Sequence, residues 1–408
     1  MTLDPVHVEG IADLAGLLAR RVDDTDHDDL ARTAFEEWFD PLRVDGRTVL
    51  EPVGERRLRS VAVDDVALID APFPTVHGLD SGTINPTTFE NGLVLDVAHA
   101  AMASEPSVLD LHRARTLVTT VHANDPTLAL GTDWVRRDEG YLRRKILHAP
   151  RVNRYAEGVV HALALYLAES SHALEHADAV DDCLLLDGPL YPKELLNWQD
   201  RDAELGALAT EAKPRSIVEN YARLVERLLD RDVAVAGFVK NPSAKLVTRT
   251  LREKGVDAPW VDDTALFTRL LEPDDGRTDR LTFTNWFVSR GGSDRTLAAD
   301  GDALGVDRRR DPADYEVTFF VVYDPRRELC YRIEAPAGLT SDPDARERLT
   351  RQVLRDVAIS RGPPPVVERA DALARIGVDE KAALRRKFEE RLDSAFVRTY
   401  DDVRWDEV

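Results

Sequence analysis

Two short apolar runs each close on a single aspartate and then a turn of small residues: Val76-His77-Gly78-Leu79-Asp80-Ser81-Gly82 and Asp182-Cys183-Leu184-Leu185-Leu186-Asp187-Gly188-Pro189-Leu190. Apolar runs of this length, bounded by Gly and Pro, predict buried parallel strands. A carboxylate at the carboxyl end of such a strand lies where open α/β sheets place their ligands. Asp-Gly is also ordinary turn chemistry, so either aspartate alone says little. Two of them on separate strands, with a third carboxylate between, point to a shared metal site.

The rest of the chain has to supply a core for those strands. With 408 residues it can bury one large core or two. The formal charge is -21, yet 43% of residues are hydrophobic, which excludes an acidic disordered chain. Only 8 of the 54 basic residues are lysine, and aspartate is scattered along the whole length. That pattern matches a protein kept soluble in a salt-rich cytoplasm by a dense carboxylate surface. Net acidity ordinarily argues against nucleic-acid binding, since affinity there comes largely from phosphate contacts. On a surface of this kind only local basic clusters are informative. Cys183 and Cys330 both sit in apolar runs and read as buried thiols of a reducing compartment. The N-terminus has no basic-then-apolar signal pattern, and no apolar run approaches the roughly 20 residues that span a membrane. The expectation is a cytoplasmic protein without a membrane partner.

Along the chain, residues 1–45 carry apolar positions at helical spacing (Ile11, Leu14, Leu17, Leu18, then Leu30, Phe35, Trp38) and predict helices. Strands are expected at Val76–Asp80, Leu93–Ala103 and Leu117–His122, then a long helix from Asn153 to Ala177 and a strand at Cys183–Leu186. A helix at Ser216–Arg231, a strand at Val233–Val239 and a helix at Ala244–Glu253 follow. Val317–Tyr323 and Leu329–Ile333 predict a hairpin around Asp324-Pro325, and Ala345–Ile359 and Arg375–Ser394 predict the last helices. The acidic, glycine-containing stretch 291–314 reads as a mobile loop. Three parts result: an N-terminal helical interaction segment (1–70), a central domain (71–376) and a C-terminal helical segment (377–408). The order strand, strand, strand, helix, strand resembles the opening of an RNase H-like fold. The predicted class is therefore α/β, with an RNase H-like mixed sheet flanked by helices and helical extensions at both ends.

From about Pro72 to Ile376 the sequence resembles the NurA nucleases, RNase H-like DNA nucleases. The resemblance rests on Gly78-Leu79-Asp80-Ser81-Gly82, Leu185-Leu186-Asp187-Gly188-Pro189-Leu190, Ala236-Gly237-Phe238-Val239-Lys240 and Pro363-Pro364-Pro365-Val366-Val367-Glu368-Arg369-Ala370. It implies manganese-dependent (or magnesium-dependent) cleavage of DNA, of single strands and of ends from the 5′ side, in DNA end resection. It also implies a homodimer docked on a hexameric DNA-translocating ATPase of the HerA type. Asp80 and Asp187 match the family's first-strand and fourth-strand acids, whose hard oxygens suit Mn²⁺ or Mg²⁺. Two such ions roughly 3.5–4 Å apart activate the attacking water and stabilise the leaving oxygen.

A helix glutamate is implied as a third metal ligand and catalytic group, and the chain offers Glu157 and Glu169. The N-terminal part of a crossover helix lies beside the strand end carrying Asp187, which favours Glu157, as does Arg154-x-x-Glu157. Glu169 is 12 residues on, about 18 Å along the helix; a helix that overshoots a short strand would bring Glu169 level with Asp187 instead. Lys240 matches a family lysine at a strand tip and suits a phosphate contact, with Ser243 beside it. After Ala370 the family usually carries a histidine, and here Asp371 stands in its place. Aspartate can ligate a hard cation but cannot shuttle a near-neutral proton as histidine does. His77 is no substitute, because strand alternation puts it on the opposite face from Asp80.

The run Arg136, Arg137, Arg143, Arg144, Lys145, Arg151 and Arg154, with Trp134 and Tyr141 interleaved, is the densest basic patch of the sequence and a candidate DNA surface. Zinc-type Cys/His spacing, a phosphate-binding glycine loop and a Ser/His/Asp arrangement are all missing, so the chain is not expected to hydrolyse ATP itself. Two other readings stay open. One is a catalytically weakened DNA-binding or docking subunit of the same complex. The other is an RNA-cleaving relative, although nothing here visibly reads a 2′-hydroxyl.

Overall fold

A computed structural model describes residues 4–21, 27–125, 128, 130–131, 133–273, 275–299, 301 and 304–398. Its strands join into one mixed sheet. From one edge the order is Leu42–Val44, Arg47–Pro52, Phe287–Ser289, Val317–Asp324, Leu329–Pro336, Ala234–Val239, Cys183–Asp187, Val76–Thr83, Val94–Glu105, Arg115–His122, Leu142–His148 and Val135–Arg137. The three strands at its centre, Ala234–Val239, Cys183–Asp187 and Val76–Thr83, run parallel to one another. They are the near-continuous apolar runs of the sequence, and both of their faces are covered, as parallel strands require.

Alternation along these strands sorts their side chains into two cores. Leu79, Leu184, Leu186 and Val235 pack under the helices Ala156–His176 and Ala212–Leu229. Cys183, Leu185, Ala234, Ala236 and Phe238 pack under the helices Pro343–Ser360 and Pro365–Ala374 on the other face. This is the mixed sheet flanked by helices that the sequence predicts. The long helix and the expected strands Val76–Thr83, Val94–Glu105, Arg115–His122, Cys183–Asp187 and Ala234–Val239 start and stop within a few residues of their expected positions, but Val135–Arg137 and Leu142–His148 are two further strands that the expectation lacked.

Other segments also differ from expectation. Among the described residues of 1–70, helix is found at Pro5–Ala19, His27–Trp38 and the short Val63–Ala67, while Leu42–Val44, Arg47–Pro52 and Leu58–Ala62 are strands of the same sheet. Leu42 and Leu50 are buried there with Phe35, Phe39 and Phe287, so this part shares a core with the rest of the chain. The stretch 291–314 is not a free loop: Leu297, Leu304 and Val306 are buried in the core beneath the Ala212–Leu229 helix. At the C-terminus Pro365–Ala374 and Val378–Leu392 are separate helices, and Leu384, Phe388, Leu392 and Phe396 pack against Ile84, Phe89 and Leu95. The last ten residues of the predicted C-terminal segment lie outside the described residues.

Candidate metal centre

Asp80 projects from its strand between Gly78 and Gly82, two residues to either side and so on the same face. A methyl group on Gly78 would lie 2.3 Å from the Val366 carbonyl oxygen, and one on Gly82 would lie 2.5 Å from that of Ala374. The two glycines therefore let the helix Pro365–Ala374 rest directly on the strand backbone, and that helix carries Asp371. Leu79 pairs in register with Leu186 of the neighbouring strand, so Asp187 stands level with Asp80. Carboxylate oxygens of Asp80, Asp187 and Asp371 lie within 4.8 Å of one another, each half-buried. Two parallel strands and one helix packed against glycine bring together acids 107 and 184 residues apart in sequence.

The electrostatics follow from that crowding. Burial first, and then the charge of Asp187, push the Asp80 carboxyl up to about 8. Burial also raises Asp187, opposed by Lys240, whose ammonium lies 2.6 Å from its Oδ2. Asp371 is paired with Arg375 one turn along its helix. The three-carboxylate oxygen set, short of positive charge, fits a hard divalent cation such as Mn²⁺ or Mg²⁺.

The helix glutamate nearest the cluster is Glu169, not Glu157. Ser81 follows Asp80 and so points to the opposite face, where its hydroxyl donates to Glu169 Oε2 at 3.0 Å. The Tyr221 hydroxyl donates to Oε1 at 2.7 Å. Burial pushes the Glu169 carboxyl up to about 7, and both hydrogen bonds oppose the shift. Glu157 is exposed and accepts from the Thr88 hydroxyl at 2.8 Å. The reason is the length of the neighbouring strand. Val94–Glu105 runs 12 residues, and the helix lies along it. Its first turn therefore sits beside Thr87–Thr88, past the level of the carboxylates, as a helix overshooting a short strand would. The signal available in sequence was Glu169 standing between Ala168 and Ser170 in a helical stretch buried from Leu167 to Ala173.

The remaining expected residues divide. Lys240 reaches the cluster, while Ser243 lines a separate cleft. His77 is buried on the face away from Asp80, as alternation requires. In the basic run, Arg136 and Arg143 both pair with Glu175, and the Arg143 guanidinium stacks 3.9 Å from the Trp134 ring centre. Lys145 also lies over Trp134, and Arg154 pairs with Asp202. Arg137 is exposed on the edge strand Val135–Arg137 and Arg144 on its neighbour Leu142–His148.

A family model for the NurA domain matches residues 74–376 of the 408. The chain belongs to the NurA family. Solved NurA structures are similar at low identity. The NurA nuclease from Sulfolobus solfataricus is 12% identical, with a TM-score of 0.48 over 96% of this chain and 98% of that one. A NurA bound to dAMP and manganese is 10% identical, with a TM-score of 0.47 over 97% and 98%. A NurA with manganese is 11% identical, with a TM-score of 0.41 over 80% and 95%. Comparison with curated proteins gives no match. Within the NurA domain, Asp80, Glu169, Asp187, Lys240 and Asp371 all fall inside the matched residues. No helix among the described residues is long and apolar enough to cross a membrane.

Proposed function

We propose that this NurA-family chain is a divalent-metal-dependent DNA nuclease acting on single strands and DNA ends. The observation that carries the reading is the convergence of Asp80, Asp187 and Asp371 oxygens within 4.8 Å. These three would hold the cation. A bound Mn²⁺ or Mg²⁺ would supply the positive charge that activates water and stabilises a developing oxyanion in phosphodiester hydrolysis. The chain's own groups prepare the place for it. Lys240 fixes the orientation of Asp187 and offers an ammonium to a substrate phosphate. Glu169 anchors Ser81 and, through it, the strand segment that aims Asp80.

The family resemblance supports a homodimer working with a HerA-type ATPase in end resection, and two free buried cysteines suit a reducing cytoplasm. The apolar side chains exposed on the helix Pro5–Ala19 are the proposed contact for one of these partners: Val8, Ile11, Leu14 and Leu18 are 52–65% exposed. Asp371 in the histidine position favours one second reading, a catalytically weakened subunit that binds DNA and docks. An assay with MnCl₂ at high KCl on 5′-labelled single-stranded and blunt-ended DNA separates the two. Cleavage lost in both Asp80→Ala and Asp187→Ala is the expected outcome. Binding without cleavage by the wild type, with or without the ATPase, overturns the enzyme reading.

A further inference from the structure

A cleft of about 1110 Å³ lies apart from the carboxylate cluster. It lies on the sheet face opposite the Asp371 helix. Its floor is Arg332 and Glu334, which alternate with the buried Tyr331 and Ile333 of the other face. One end is formed by Pro189, the first residue beyond Asp187-Gly188, and Val239, the residue before Lys240. The cleft thus opens at the strand ends that hold the metal centre.

Its charge runs against the whole composition. Arg47, Lys193, Lys245, Arg249, Arg290, Arg295 and Arg332 line it, against Asp200, Glu253, Asp294 and Glu334, in a chain of net charge -21. The floor is internally neutralised: Lys193 and Arg332 both pair with Glu334 and Asp294, and Arg290 pairs with Glu51 and Glu316. The rim is not. Arg47, Lys245 and Arg295 are exposed and have no side-chain partner among the described residues. They come from three separate segments: the first residue of the strand Arg47–Pro52, the loop after Val239, and the short 3-10 helix Gly292–Leu297. Among the described residues no aromatic side chain lines the cleft, while Thr48, Asn197, Asn241, Ser243 and Ser293 offer donors. A positive rim with polar donors and no stacking surface recognises a phosphate backbone rather than bases.

We propose that this cleft holds the phosphates of a single DNA strand flanking the scissile bond, with Arg47, Lys245 and Arg295 as its phosphate contacts. The proposal rests on the nuclease reading for its substrate, but it relocates DNA binding. In the basic run 136–154, Arg136, Arg143 and Arg154 are already paired with acids of this chain, whereas the rim of the cleft is free to bind.

The test is binding of a fluorescently labelled 20-nucleotide oligothymidylate by the full chain in EDTA, followed by anisotropy across a KCl series. The variants are Arg47→Gln, Lys245→Gln, Arg295→Gln and the triple combination. Each lost phosphate contact lowers the slope of log K against log salt by about 0.7 for a single strand. The triple variant is expected to lose about 2 units of slope and each single variant about one third of that. All three side chains are exposed and unpaired, so thermal unfolding should be unchanged; the single variants serve as the reading if the triple variant unfolds early. Wild-type slope and affinity in the triple variant overturn the proposal. So does a loss confined to Arg137→Gln/Arg144→Gln, which would place the strand on the opposite edge of the sheet. A wild type that fails to cleave with MnCl₂, but whose triple variant loses slope, supports the cleft and overturns the nuclease reading alone.

Discussion

Asp80 concentrates the chemistry of the site in one side chain. Its carboxyl, raised to about 8 in the folded chain, has an ordinary value near 4 when unfolded. Between those values the folded state binds the extra proton, so this group's contribution to stability without metal is full below about pH 4 and is lost as pH rises toward 8. The melting temperature in EDTA is therefore expected to fall from pH 5 to 8. Asp80→Asn should flatten that decline without abolishing it, because Glu169 at about 7 and Asp356 at about 6 titrate in the same sense. MnCl₂ should raise the wild-type melting temperature at pH 8 and leave Asp80→Asn where it was. An equal metal-induced rise in both proteins would remove Asp80 from the ligand set. For the helix acids, Glu169→Gln is expected to cost about 10–100-fold in cleavage rate, the usual penalty for a group that supports a ligand. Glu157→Gln, which loses only a bond to Thr88, should stay near wild type; the reverse order in a side-by-side rate measurement would restore Glu157 as the functional acid.

The elements place these residues through backbone contact as much as through side chains. Pro365–Ala374 reaches the strand Val76–Thr83 only because Gly78 and Gly82 present no Cβ. Gly78→Ala would press a methyl group to 2.3 Å from the Val366 carbonyl, and that atom belongs to backbone that cannot rotate away. The expected result is a loss of about 1–3 kcal/mol in unfolding free energy, with Asp371 displaced from the other two carboxylates. Calorimetry should show reduced stability together with a weakened response to MnCl₂. Reduced stability with a full metal response would mean that Asp371 is dispensable as a ligand. The same logic explains why the two aspartate-bearing strands were legible in sequence. Each is an apolar run long enough for one buried strand, and the register between neighbours then sets Asp187 beside Asp80.

At the scale of the molecule, the N-terminal region splits into a part that belongs to the core and a part that does not. The helix Pro5–Ala19 leaves its apolar face in solvent, whereas Phe35, Phe39 and Leu42 are buried with Phe287 and Phe319. Deleting residues 1–21 should leave the melting temperature and cleavage unchanged while altering dimerisation or ATPase binding, read by light scattering and pull-down. Deleting residues 1–45 should instead abolish cooperative unfolding, because large buried aromatic side chains each contribute about 3–5 kcal/mol. Full retention of dimerisation and partner binding after the shorter deletion would rule out the exposed helix as the contact.

The sequence alone determined the strands Val76–Thr83, Val94–Glu105, Arg115–His122, Cys183–Asp187 and Ala234–Val239, the hairpin Val317–Pro336 and the long crossover helix, and it marked out the pair Asp80 and Asp187, because apolar periodicity and turn residues are local signals. It also placed Asp371 in the late motif and His77 on the wrong face for the site. Which of Glu157 and Glu169 lies near the carboxylates is a tertiary property, since it depends on how far the helix extends past a 12-residue neighbouring strand. The strands before residue 70 and the burial of Leu297 and Leu304 were likewise invisible, because their partners are strands and helices distant in sequence. Which basic residues are free is a tertiary property too. Charge density along the chain pointed to residues 136–154, but pairing with Glu175 and Asp202 occupies much of that run, while Arg47, Lys245 and Arg295, scattered in sequence, meet at one rim.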